Sequence, residues 1–251
     1  MPALSLASLL LSVGVVSAAP SASRAAPSAR AVDVALVLVT DVSRSITDSE
    51  FALEKNGYAT AITSPEVLNA IRHGTNGAIA ITYVEFSSAD QVGTVVGWEV
   101  VHDEASAKKF AADILSRPRS SYGRTAIGAG IDDAVQDIAE SGFNAERRVI
   151  DVCGDGNSNE GMPLAEARAE ALKAGITING LAIVHENPPP WLAPHVDPPG
   201  GIVKYYQDNV IAGPGSFVMN VQADQDFVAA MTRKFVLEIA GRQMRAAPHP
   251  L

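Results

Sequence analysis

Six consecutive apolar residues, Val34-Ala35-Leu36-Val37-Leu38-Val39, run into Asp41-Val42-Ser43-Arg44-Ser45. An apolar run without alternation reads as a strand buried on both faces, as at the centre of a parallel sheet. Such a strand needs helices on both sides, which restricts the chain to an α/β architecture. The polar cluster then lies at the strand's carboxyl end, where open α/β sheets bind ligands. Asp41, Ser43 and Ser45 offer one carboxylate and two hydroxyls, hard donors that suit Mg²⁺, Mn²⁺ or Ca²⁺ and do not suit zinc. A structural alternative stands beside this one, because Asp or Ser after a strand often caps the next helix.

Strands and helices alternate along the rest of the chain. This predicts βαβ units and a doubly wound, mostly parallel six-stranded sheet with helices on both faces. Strands are expected at residues 34–39, 78–84, 92–101, 148–153, 176–184 and 216–221. The short connection at residues 87–91 predicts a hairpin, so the third strand is an antiparallel edge exposing Thr94, Gly97 and Glu99. One helix is expected over residues 48–62, capped by Thr47 or Asp48. Asp103 caps another, with Ala107, Phe110, Ala111, Ile114 and Leu115 on its buried stripe. Further helices follow Thr125, span the interval from Pro163 to Gly175, and start at Asp224 with Phe227, Met231 and Phe235 inward. Residues 185–200 form a long proline-rich excursion on the same rim as the polar cluster.

Two later segments extend the oxygen set. Gly123-Arg124-Thr125-Ala126-Ile127-Gly128 is a loop opening into a helix, and Val149-Ile150-Asp151-Val152-Cys153-Gly154-Asp155-Gly156 is a strand entering an acidic turn. Asp-x-Ser-x-Ser, then a loop Thr, then Asp-Gly, in that order, resembles the metal-ion-dependent adhesion site of von Willebrand factor A domains. The resemblance covers residues 33–240. Glu146-Arg147-Arg148-Val149-Ile150-Asp151-Val152, Thr177-Ile178-Asn179-Gly180-Leu181 and Val210-Ile211-Ala212-Gly213-Pro214-Gly215 are more closely similar to a bacterial subfamily of secreted A-type domains, domain of unknown function 1194. The resemblance implies that Asp41, Ser43, Ser45, Thr125 and Asp155 hold one divalent cation, with Mg²⁺ expected first and Mn²⁺ or Ca²⁺ as alternatives. It also implies a binding device, in which a partner protein's Glu or Asp carboxylate takes the remaining coordination position.

Composition narrows the partners. The chain has 251 residues, enough for one large α/β domain, and a formal net charge of −9 disfavours nucleic acid and anionic membranes. Residues 4–16 are apolar and end in Val16-Ser17-Ala18, as in a secretory leader with a small-x-small cleavage site, although no Lys or Arg precedes them. The run is shorter than the roughly 20 apolar residues of a membrane span. The expected organisation is a leader at 1–18, a disordered linker at 19–31, the A-like domain at 32–240 and a flexible tail at 241–251. Periplasmic or secreted location follows as an expectation, with no stable membrane span once the leader is cleaved. Cys153 is the single cysteine, cannot form an internal bridge, and reads as a small buried residue.

Other candidates carry less. Asp155-Gly156-Asn157-Ser158-Asn159 with Glu166 imitates an EF-hand calcium loop but has Glu160 where glycine is required. Asn157 and Asn159 are expected to hold the turn. Arg44 reads as a solvated side chain or as a contact for an acidic partner. Trp191 reads as a partner anchor or as packing for its own loop. His185 and His195 with Asp197 read either as a second metal site in the proline-rich loop or as solvated side chains, and the absence of a recognised ligand spacing makes solvated histidines the expectation. Gly123, Gly128 and Gly130 follow no strand and form no dinucleotide fingerprint. A metal-assisted hydrolase or phosphoryl-transfer enzyme is the alternative function. No histidine falls within the three motif loops and there is no Gly-x-Ser-x-Gly elbow, so no base or nucleophile is apparent. Asp151 is expected to make a structural hydrogen bond. The export signal argues against a third reading, an A-domain partner of a cytoplasmic ATPase.

Overall fold

The strand β1 (Arg30–Asp41) is the hub of the molecule. In a computed structural model describing residues 29–222 and 227–241, it pairs in parallel with β2 (Ile79–Phe86) on one side and β4 (Phe143–Gly154) on the other. The strand β3 (Val92–Val101) lies antiparallel on β2, while β5 (Thr177–Val184) and β6 (Val218–Gln222) continue in parallel beyond β4. The sheet order is β3-β2-β1-β4-β5-β6, six strands in all. The expected doubly wound α/β fold with one antiparallel edge is the fold observed. Its third strand has the expected bounds.

Side-chain alternation along β1 builds two cores. Val34, Leu36 and Leu38 face one layer, and Val37 and Val39 face the other. The first layer is α1 (Asp48–Ile62), α2 (Pro65–Arg72), α3 (Glu104–Ser116) and α8 (Phe227–Ala240). The second is α4 (Ile127–Glu140), α5 (Leu164–Lys173) and α7 (Gly201–Asn209). The short α6 (Ala193–Val196) lies within the proline-rich excursion. No helix among the described residues is long and apolar enough to cross a membrane.

After β1 the chain moves outward to β2 and β3, then returns across β1 to β4 on the opposite side. The carboxyl ends of β1 and β4 therefore flank a topological switch point, where a crevice opens between diverging connections. Asp41 ends β1, and Asp155 immediately follows β4.

Several details depart from the expectations. The first strand starts at Arg30, paired with Phe143, where the linker was expected to continue through residue 31. Leu115, expected on the buried stripe of α3, is 47% exposed, although its neighbour Ile114 is fully buried. Three helices were unanticipated, the short α6 among them. The signal for α2 is present in Ser64-Pro65, with Ser64 Oγ accepting from Val67 N–H at 3.3 Å and Pro65 in the first turn. By contrast α7 starts at Gly201 behind Gly200, with φ 84° and 87°, and has no side-chain cap, so nothing local announces it. The expected leader, linker residues 19–28, the Asp224 cap and the tail from 242 lie outside the described residues.

Asp151 does make a structural contact. It is fully buried in β4, facing α8, with Lys234 Nζ 2.7 Å from its Oδ1 and 2.5 Å from Glu238 Oε1. Burial pulls the Lys234 ammonium toward neutrality, but the Asp151 and Glu238 charges outweigh it and raise its pKa. Burial, then the Asp151 charge, pushes the Glu238 carboxyl up to about 7.

Candidate cation site at the switch point

Helix capping does not consume the first motif. Thr47 caps α1 by accepting from Glu50 N–H at 3.2 Å, while Glu50 Oε2 accepts from Thr47 N–H at 2.7 Å. This reciprocal box leaves Asp41, Ser43 and Ser45 free of capping duty. Ser43 N–H instead donates to Asp41 Oδ1 at 2.7 Å, folding the loop back on itself.

All five expected ligands are buried, and a chain of short contacts links four of them. Thr125 Oγ1 donates to Ser43 Oγ at 3.1 Å, Ser43 Oγ and Ser45 Oγ share a hydrogen at 3.0 Å, and Ser45 Oγ donates to Asp155 Oδ1 at 2.6 Å. Asp41 Oδ2 has no hydrogen-bond partner among the described residues. Burial, then the Asp155 charge, pushes the Asp41 carboxyl up to about 8. Three hydroxyls, two buried carboxylates and one unpartnered carboxylate oxygen fit a hard divalent cation, whose charge offsets the cost of burying both acids. Among the described residues no group of three or more His, Cys, Asp or Glu side chains is arranged to hold a metal, so a cation here depends on the hydroxyls.

Sequence reasoning missed the clamp that shapes the first loop. Arg119 is 4% exposed at its side chain, and its Nη2 donates to Val42 O at 2.8 Å and Ser43 O at 2.6 Å. Its Nη1 donates to Ile46 O at 2.9 Å. Nothing near Arg119 in the sequence marks it, because the loop atoms it clamps are backbone carbonyls more than seventy residues earlier.

The solvated-histidine expectation is corrected. His185 and His195 both reach the motif. His185 Nε2 lies 2.9 Å from Asp155 Oδ2, and its Nδ1 is 3.6 Å from Glu50 Oε1. The hydrogen bond to Asp155 raises the His185 pKa. His195 Nε2 lies 3.1 Å from Thr125 Oγ1 and its Nδ1 2.7 Å from Asn157 Oδ1, and burial lowers its pKa. The proline-rich segment folds onto the rim because Pro189 O accepts from Leu192 N–H and Ala193 N–H, and because Val196 is buried. Asp197 remains exposed.

Asn157 and Asn159 hold neighbours rather than their own turn. Asn159 Oδ1 accepts from Thr125 N–H at 3.1 Å, and Asn157 Oδ1 meets His195. The stretch follows β4 rather than a helix, which removes the EF-hand alternative. Beneath the site lies Glu54, 1% exposed, with its pKa raised by burial and then by the Asp41 charge. Cys153 is buried and free, and burial raises its thiol pKa, as expected of an inert residue. Arg44 is exposed at the tip of the first loop, and Trp191 is 78% exposed on the proline-rich segment.

The sheet order and the switch point give a fold like that of von Willebrand factor type A domains. Residues 31–243 match the family described as Protein of unknown function (DUF1194), and the chain belongs to that family. No curated protein matches it. Solved structures give the fold from a distance. Proximal thread matrix protein 1 from the mussel byssus aligns with a TM-score of 0.59 at 17% identity, over 84% of this chain and 48% of that one. The same mussel protein "with zinc occupied MIDAS motif" aligns with a TM-score of 0.57 at 20% identity, with the same coverage. The pilus adhesin SpaC of Lactobacillus rhamnosus GG aligns with a TM-score of 0.54 at 15% identity, over 83% of this chain and 31% of that one. This chain thus spans about half of the mussel protein's length.

Proposed function

We propose that the protein is a metal-dependent binding module acting outside the cytoplasm. Asp41, Ser43, Ser45, Thr125 and Asp155 hold one divalent cation, and a carboxylate of a partner protein completes its coordination. The observation that carries this is the unpartnered, fully buried Asp41 Oδ2 beside the linked hydroxyls of Ser43, Ser45 and Thr125. When bound, the cation supplies a Lewis-acidic position for an incoming oxygen. Mg²⁺ suits the oxygen donors, with Mn²⁺ and Ca²⁺ as alternatives. The mussel structure with a zinc-occupied motif and the pilus adhesin support the class of device. Extracytoplasmic location rests on the leader pattern in residues 4–18.

Partner contact is assigned to the exposed Arg44 and Trp191, both on the rim that carries the site. An exposed aromatic on a proline-braced segment is preordered and loses little entropy on docking. Immobilised protein is expected to retain a partner from a periplasmic extract with Mg²⁺ present and to release it with EDTA. Trp191→Ala is expected to lower that affinity by about 2 kcal/mol with no change in melting temperature. Retention indifferent to EDTA overturns the metal-dependent reading, and a destabilised Trp191→Ala protein makes the side chain structural.

The two histidines favour one second reading. They bring to the site the proton carriers that a metal-assisted hydrolase needs. Metal-dependent turnover of a phosphate or carboxylate ester that His195→Ala abolishes would establish it in place of the binding module.

A further inference from the structure

We propose that His185 is a positioning residue of the cation site: without touching the cation, it holds Asp155 in the orientation that ligation needs. The inference rests on the cation reading of Asp41, Ser43, Ser45, Thr125 and Asp155. It adds to that set a side chain from a third strand end. His185 directly follows β5, as Asp155 directly follows β4, and the two strands are parallel neighbours. The imidazole is therefore carried by the sheet rather than by the span of the proline-rich segment, and a rigid element places a side chain more precisely than a loop does.

Three observations carry the proposal. First, each oxygen of Asp155 has its own partner. Oδ1 accepts from Ser45 Oγ at 2.6 Å, and Oδ2 faces His185 Nε2 at 2.9 Å. Beside a divalent cation Asp155 is a carboxylate, whose oxygens only accept, so Nε2 carries a hydrogen and donates it. One donor on each oxygen fixes the plane of the carboxylate. Second, the ring is itself held. Its Nδ1 faces Glu50 Oε1 at 3.6 Å, and Glu50 Oε2 accepts from Thr47 N–H at 2.7 Å in the cap of α1. The line from Glu50 through His185 to Asp155 is sheltered throughout, with side-chain exposures of 14%, 16% and 0%. Third, the site needs such a holder. A Cβ at position 154 would lie 2.8 Å from Asp41 Cβ, so Gly154 lets β4 bring Asp155 close to Asp41 on the neighbouring strand. Two buried carboxylates repel, and a fixed donor keeps Asp155 in place before the cation arrives.

The test is titration calorimetry of the whole protein with Mg²⁺ and with Mn²⁺, joined to NMR of the wild type labelled with ¹⁵N at histidine. His185→Ala is expected to lose roughly tenfold or more in affinity. The loss is expected to be alike for both ions, because it acts through Asp155 and not through a nitrogen–metal bond. His185→Gln, whose amide N–H stands in for Nε2–H, is expected to recover most of it. In the wild type the Nε2–H signal of His185 is expected to be protected from exchange and to shift when Mg²⁺ is added, a readout that holds even if His185→Ala fails to fold. Unchanged affinity in His185→Ala, equal losses in His185→Ala and His185→Gln, or an Nε2–H signal that is absent or unmoved by Mg²⁺ overturns the assignment and leaves the cation site standing. A wild type that binds neither ion overturns both.

Discussion

Asp41→Asn is expected to abolish divalent-cation binding and, at pH 8.5, to make the metal-free protein more stable than the wild type. The two effects have one cause. Burial, then the Asp155 charge, pushes the Asp41 carboxyl from 3.8 up to about 8. A carboxyl with a raised folded pKa contributes stability that is fully present below about pH 3.8 and is lost as pH rises through about 8. The metal-free wild type is therefore expected to lose stability across that window, and the amide variant to lose less. Removing one buried uncompensated charge is worth on the order of 1–3 kcal/mol, or several degrees in Tm for a domain of this size. Adding Mn²⁺ at about 100 times its Kd stabilises the wild type by about 2.7 kcal/mol and leaves the variant unchanged. Scanning calorimetry at pH 6 and pH 8.5, with EDTA or Mn²⁺, measures all four quantities. An equal Mn²⁺ response in both proteins sinks the ligand assignment.

The second large effect lies in the core, away from the site. Lys234→Met is expected to destabilise the protein by about 3–5 kcal/mol, a fall in Tm of roughly 10 °C. Lys234 Nζ is the cation against which Asp151 and Glu238 are both buried, each at 0% side-chain exposure. Its loss leaves two carboxylates in an apolar layer between β4 and α8. The triple change Lys234→Met, Asp151→Leu and Glu238→Gln is expected to recover most of the loss, because no charge is then stranded and Asn179 Nδ2 keeps its acceptor at position 238. Asp151 precedes Asp155 by four residues of extended chain, about 13 Å, so cation affinity is expected to stay near normal in the triple variant. Chemical denaturation of the three proteins reads the energies. A single variant as stable as the wild type would show that the buried triad carries no net stability.

Much of the fold was legible because its signals are local. The unbroken apolar run before Asp41 marked the central strand, and the short turn before Val92 marked the antiparallel edge. The oxygen set was equally visible, since each of its three parts sits at a strand end or helix start. Helix α2 was missed although Ser64-Pro65 announced it, and α7 was missed because two glycines begin it without a cap. Arg119 was invisible for a different reason. Its task is to bind backbone carbonyls, and a backbone carbonyl has no sequence signature.

The histidines show where sequence stopped. By itself the chain determined the layered α/β architecture and the two-sided core, and it placed five oxygen-bearing side chains at strand ends and a helix start, because hydrophobic period and strand-end chemistry are properties of neighbouring residues. Only the tertiary structure decided that His185 and His195 meet Asp155 and Thr125, thirty and seventy residues away. Those contacts depend on β5 lying beside β4 and on a proline-braced turn folding back over Gly156. Neither the strand order nor the direction of a loop's return is encoded in the spacing of the residues it joins.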